Sequence, residues 1–214
     1  MSEQAFQTLP PEAGALLWPE RLYSRRDVLA KPCPVPKHAG AYAWYFRQAL
    51  PGVPTTGCHM FKGLWLLYVG ICPNKPPKNG KAPSKRTLVN RLADHLTGNA
   101  EGSTLRKTLG CLLSEPLGIH LTRVGSGRRH TFTNVGEQIL DSWLDENALV
   151  AWVEHSAPWE LEAEIIRVVP LPLNIDANEH HPFYTQLRSI RRDAMKCANS
   201  RPVVSNNGGP RRLS

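Results

Sequence analysis

A chain of 214 residues suits one domain with extensions, or two small domains at most. Hydrophobic residues make up 41%, enough for a packed core, and the 21% charged content excludes a disordered polyelectrolyte. Lys+Arg 26 against Asp+Glu 18 gives +8 and a pI near 9.5, which favours a polyanionic partner, although a membrane surface could use the same charge.

No run approaches the ~18 apolar residues of a membrane span. The N-terminal stretch MSEQAFQTLPPEAGALLWPE lacks a basic start and an apolar core, so no secretory signal is expected. The five cysteines (Cys33, Cys58, Cys72, Cys111, Cys197) are scattered and contain no C-x-x-C, against a disulfide scaffold or a zinc ribbon. A soluble, reduced, cytoplasmic protein is the expectation.

Residues 1–37 carry Pro10, Pro11, Pro19, Pro32, Pro34 and Pro36, which predicts an irregular arm. The aromatic run Gly40–Phe46 and the apolar run Leu64–Ile71 predict two strands, joined by a long loop through Pro51-Gly52-Val53-Pro54. Between Cys72 and Arg86, four prolines, four lysines and an arginine with no acid predict an exposed loop. Leu88, Leu92 and Leu96 recur at helical spacing and Gly98 is a natural stop. Ser103–Leu113 reads as a shorter helix with Ser103 as its N-cap.

Weak strand signals follow at 118–124 and 129–132, then a helix over Val135–Asn147 and a third strand over Ala148–Glu154. A helix begins near Pro158, where proline's missing N–H does no harm, and ends before Pro170. A last helix is predicted over Pro182–Ala198, followed by a basic, disordered tail over 199–214. Strands, helices, a strand and more helices make a small α/β or α+β layer.

Three features stand out chemically. On the helix after Pro158, Leu161, Ile165, Ile166, Val168 and Val169 form an apolar stripe, with Glu160, Glu164 and Arg167 on the opposite side. Glu162 falls in the middle of that stripe, so it must be paired, protonated or holding a metal. On the helix from Thr87, Arg91 and His95 lie one turn apart along the edge of the leucine stripe. They cannot pair with each other; a phosphate oxygen would satisfy both, and two solvent-facing side chains is the plainer explanation. Tyr42 and Tyr68 lie in the two aromatic strands, where packing alone would account for them.

Other candidates carry less. His180-His181 has no third ligand at sensible spacing, Gly125-Ser-Gly-Arg-Arg is a turn, and Cys72 reads as a small core residue.

Together these residues resemble the GIY-YIG nuclease family. Gly40-Ala41-Tyr42 is similar to the first tripeptide and Tyr68-Val69-Gly70 to the second. Arg91 with His95 resembles the family's arginine-bearing helix, Glu162 its metal-binding glutamate, and Asn174 its closing asparagine. The resemblance covers about 39–174. It departs at Ala41 and Val69, in the long Tyr68–Arg91 gap, and in an insertion between His95 and Glu162. The Ser-Thr-Leu-Arg-Lys-Thr-Leu-Gly run and the Asn-x-x-His-Pro-Phe ending look like those of a bacterial subgroup.

The resemblance implies a three-stranded, mainly antiparallel sheet flanked by helices over 38–178, with the helix over 179–198 packed on it. It also implies a divalent-metal-dependent endonuclease acting on DNA, with Mg²⁺ or Mn²⁺ held by Glu162. Arg91 would contact the phosphate, Tyr42 would orient or deprotonate water, Tyr68 and His95 would support it, and Asn174 would help close the site. Lys75, Lys78, Lys81, Lys85 and Arg86, with Arg188, Arg191, Arg192 and Lys196 on the last helix and Arg201 beyond, would meet the DNA backbone. A non-catalytic nucleic-acid-binding module of the same fold is the alternative.

Overall fold

Aromatic and β-branched side chains build the centre of the molecule. The computed structural model describes residues 8–77 and 84–205. Strand β1 (Gly40–Phe46) is buried along its whole length, and β3 (Leu64–Cys72) almost so. β1 pairs antiparallel with β3 on one side and with β6 (Ala148–Glu154) on the other. Tyr42 therefore lies opposite Gly70 and Trp152, and the register shifts between Trp44 and Tyr45.

The main sheet has four strands, in the order β2-β3-β1-β6, where the resemblance implies three. The extra strand, β2 (Met60–Phe61), joins β3 through Lys62-Gly63, both with positive φ (50° and 78°). That is the backbone of a primed two-residue hairpin turn. Two residues cannot display an alternation, so the strand is invisible as a pattern and is made by its turn.

Side-chain alternation splits the sheet into two faces. Tyr42, Trp44 and Phe46 pack with Leu88, Leu92 and Leu96 of α3 (Leu88–Thr97), Leu105 and Leu109 of α4 (Thr104–Leu112), and Leu140 and Leu144 of α6 (Thr133–Asn147). Ala41, Ala43 and Tyr45 pack with Leu161 and Ile165 of α7 (Pro158–Val168) and with α1 (Pro11–Leu17). Both α1 and α7 begin with proline in the first turn, which is harmless there.

The N-terminal arm is thus not irregular throughout. Proline starts α1 rather than preventing it, and Ala13, Leu16 and Leu17 bury against the sheet. Ser24 and Asp27 form a capping box on the short α2 (Arg25–Val28). A second sheet pairs β4 (Thr122–Val124) with β5 (Arg129–Thr131), after the single turn α5 (Ser114–Leu117). Helix α8 (Tyr184–Ser200) runs two residues past the predicted end, and Val204 then bridges to Val124. The chain from 199 to 205 is accordingly ordered against β4, in place of a disordered tail; residues 206–214 lie outside those described.

One buried ion cluster ties the helices together. Arg106 has no exposed surface, and its guanidinium makes five hydrogen bonds, to Glu137, Asp141 and the carbonyls of His95 and Glu137. Glu137 also accepts the amides of Ala100 and Phe132, at 2.9 and 3.1 Å. A buried guanidinium is tolerated only when so fully paired.

Candidate active site

Tyr42 on β1, Tyr68 on β3, Arg91 on α3 and Glu162 on α7 converge on one cavity of about 530 Å³. Asn74, Lys75, Thr104, Trp159, Asn174 and Asp176 complete most of its wall. Gly70 is what lets Tyr42 lie there: a Cβ at that position would sit 2.5 Å from the phenol oxygen. Gly40 is equally constrained, its would-be Cβ falling 2.1 Å from the carbonyl of Val153.

The phenol oxygen of Tyr42 is the hub. It lies 2.7 Å from His95 Nε2, and Arg91 Nε donates to it at 3.3 Å. Arg91 also donates to the carbonyl of Gly102, at 3.3 Å. His95 Nδ1 lies 2.7 Å from Ser103 Oγ. The arginine–histidine pair on α3 thus meets at a tyrosine oxygen. His95 is 1% exposed and stands behind Tyr42, so the expectation that one phosphate oxygen satisfies both residues is corrected.

Burial pushes Tyr42 well above the ordinary phenol value; Tyr68 adds to this and Arg91 opposes it. Tyr68 is pushed up to about 12, chiefly by burial and then by Glu162. Burial, with the charges of Arg91 and Arg106, holds His95 well below the ordinary imidazole range, so the ring is neutral. Glu162 is raised to about 7 by burial and by the charge of Asp176, with Arg91 opposing. Among the described residues Glu162 forms no salt bridge, with Arg91 or any other cation.

A family model for the GIY-YIG catalytic domain matches residues 40–193, from the start of β1 into α8. The chain belongs to the GIY-YIG family. Its members are typically endonucleases, so membership carries a nuclease-type activity as a class. No curated protein and no solved structure matches.

Within this GIY-YIG domain, five of the six expected site residues line the cavity: Tyr42, Tyr68, Arg91, Glu162 and Asn174. Asn174 is held in place by the sheet, accepting the amide of Val69 at 3.0 Å and donating to its carbonyl at 2.7 Å. Its side chain locks the turn after α7 onto β3.

The expected backbone-contacting cations scatter more widely. Lys75 lines the cavity. Lys85 is exposed, and Arg86 is paired with Asp94. Arg188 lies over the Tyr184 ring, and Arg192 donates to Ser189. Arg191 is more enclosed: burial lowers its pKa, while Cys111, Asp176 and Tyr68 oppose that effect. Lys78 and Lys81 fall outside the described residues.

Three residues that sequence reasoning passes over matter here. Asp176 faces the same cavity from an irregular turn, where no periodicity can flag it. Ser103 is legible as a cap but not as a partner of His95. Arg106 reads as one more cation in a basic segment, yet it is completely enclosed.

Proposed function

We propose that this GIY-YIG protein is a divalent-metal-dependent endonuclease that hydrolyses phosphodiester bonds in DNA. The observation that carries the reading is Glu162: a carboxylate facing an open cavity with no ion-pair partner among the described residues, beside Arg91 and two tyrosines. Burying a carboxylate without a cation is unfavourable, so its position suits a site that a cation completes.

The donor chemistry fits a hard ion. No group of three or more His, Cys, Asp or Glu ligands occurs among the described residues. Mg²⁺ or Mn²⁺ accepts such a site, using one or two carboxylates with phosphate oxygens and water; Glu162 would hold it. When bound, the ion supplies positive charge at the scissile phosphate and the leaving oxygen.

The chain's own groups do the rest. Arg91, with Nε on the Tyr42 oxygen and Nη1 on the Gly102 carbonyl, holds its guanidinium at the cavity wall to meet a phosphate. Once its own proton has passed to solvent through the cavity, Tyr42 acts as a phenolate that orients the attacking water and receives that water's proton at Oη; Arg91 and an occupied site offset the burial that opposes this ionisation. Tyr68 packs beside it, ring centroids 6.4 Å apart. Asn174 keeps β3 and the α7–α8 turn in register. Lys75, Lys85 and Arg86, with Arg188, Arg191 and Arg192, supply contacts to the backbone of duplex DNA.

A cytoplasmic setting belongs to the same reading. Among the described residues no helix is long and apolar enough to cross a membrane, and the five cysteines are free thiols. The deciding experiment is plasmid nicking with and without Mg²⁺, for the wild type and Glu162→Gln. Metal-dependent nicking by the wild type alone is expected. DNA binding without nicking at any metal concentration would favour the non-catalytic module.

A further inference from the structure

The hydrogen atoms around His95 follow from its partners. The ring is buried and neutral, so it carries one hydrogen, on Nδ1 or on Nε2. Nδ1 faces Ser103 Oγ and Nε2 faces Tyr42 Oη, each at 2.7 Å. Ser103 is fully buried, and its Oγ already accepts the backbone amide of Arg106 at 3.1 Å, as the N-cap of α4. That amide can only donate. The hydroxyl hydrogen of Ser103 therefore has His95 Nδ1 as its acceptor. Were Nδ1 protonated instead, Ser103 Oγ would accept twice and its own O–H would be buried without an acceptor, which native interiors avoid.

We infer that Ser103 fixes His95 as the Nε2–H tautomer, so that His95 and Arg91 both donate to Tyr42 Oη. The phenol's own hydrogen is then left for Tyr68, with which Tyr42 shares a hydrogen bond at the cavity wall. An oxygen receiving two hydrogen bonds is prepared to carry negative charge, because both donors favour the phenolate.

The arrangement is braced from one residue. The amide of Arg106 is capped by Ser103, and its Nη1 donates to the carbonyl of His95 at 3.1 Å. Arg25 Nε adds a hydrogen bond to the next carbonyl, Leu96, at 3.1 Å. Ser103 is thus a positioning residue acting through His95. The tautomer assignment stands on hydrogen bonding alone, and only its catalytic consequence rests on the nuclease reading.

The test is a long-range ¹H–¹⁵N correlation spectrum of the ¹⁵N-labelled full-length protein, with the His95 signals assigned by their loss in His95→Gln. A pyrrole-type Nε2 and a pyridine-type Nδ1 are expected in the wild type and in Ser103→Thr, which keeps the hydroxyl and the cap. A pyrrole-type Nδ1 in the wild type overturns the inference whether or not the protein cleaves DNA. The expected spectrum from a wild type that never cleaves supports the tautomer and removes the nuclease reading instead. In single-turnover cleavage at saturating enzyme, Ser103→Ala is expected to be about tenfold slower at unchanged DNA affinity, with Ser103→Thr restoring the rate. Equal rates for Ser103→Ala, Ser103→Thr and the wild type overturn the positioning role. The wild-type spectrum decides the assignment even if Ser103→Ala does not fold.

Discussion

Glu162→Gln should make the metal-free protein more stable, at the same time as it removes metal-dependent cleavage. In the folded chain the carboxyl is raised from an ordinary 4.5 to about 7, through burial and the neighbouring Asp176. A raised carboxylate pKa means that the folded state binds more protons than the unfolded state between those two values. Stability contributed by this site is therefore full below about pH 4.5 and declines as pH rises toward 7. At 1.36 kcal/mol for each tenfold in acidity, the carboxylate costs about 3 kcal/mol by pH 8, or roughly 2 after allowing for its partial wetting.

Glutamine has the same shape and cannot ionise. The variant should lie within about 1 kcal/mol of the wild type at pH 5 and exceed it by about 2–3 kcal/mol at pH 8, on the order of 5–10 °C in Tm for a chain of this size. Added Mg²⁺ should raise the melting temperature of the wild type at pH 8 and leave the variant unmoved. The assay is thermal melting at both pH values with and without metal, alongside plasmid nicking. Equal melting at pH 8 would mean that Glu162 is solvated. A loss of about 3–5 kcal/mol in the variant would mean that it is half of a buried ion pair, and the metal-ligand role would fall.

Further outcomes follow from the same geometry. Tyr42→Phe should slow single-turnover cleavage by about 10²-fold or more at nearly unchanged DNA affinity, with Tyr68→Phe milder; the reverse order would exchange their roles. Binding to non-specific duplex should weaken steeply with salt, and replacing Lys75, Lys78 and Lys81 by Ala should flatten log K against log[salt] by roughly 0.9 for each phosphate no longer neutralised, as measured by fluorescence anisotropy across a salt series. Arg106→Ala should destabilise the fold by about 3–5 kcal/mol in denaturant titrations, because Glu137 would be left buried without its cation, while Asp141 keeps its salt bridge to Arg25; a near-neutral result would show that the interior accommodates the Glu137 charge otherwise.

What could be read from the sequence was whatever repeats along an element. The unbroken aromatic and aliphatic runs of β1 and β3 declare themselves because both faces of those strands are buried, and the leucines of α3 because burial of one helix face imposes a period. Glu162 is visible for the same reason, as a charge interrupting the stripe on α7. Nothing comparable marks β2, which exists through two positive-φ residues, or Asp176, which sits in a turn. α1 is obscured because proline density argues against helix unless the first-turn exception is applied to Pro11. His95 is the most instructive case. Its spacing from Arg91 is legible, but which of the two reaches the cavity depends on where β1 presents Tyr42, and that is a property of the sheet register.

Two of the acidic groups that face the cavity, Tyr42 and Glu162, are both held toward their protonated forms, and for a shared reason. Tyr42 and Glu162 come from opposite sides of the sheet, one within β1 and the other on the helix packed beneath it, and each loses solvation where the two meet. Arg91 opposes both shifts but does not cancel either. The site is therefore short of positive charge when its acids ionise, and a cation at Glu162 would relieve that shortage for the tyrosine as well. Coulomb interaction across a partly dry cavity is long-ranged enough to couple the two. Glu162→Gln and Tyr42→Phe should then be strongly non-additive in single-turnover cleavage, the double variant being scarcely slower than the worse single one. Additive losses would show that the carboxylate and the phenol act on separate steps.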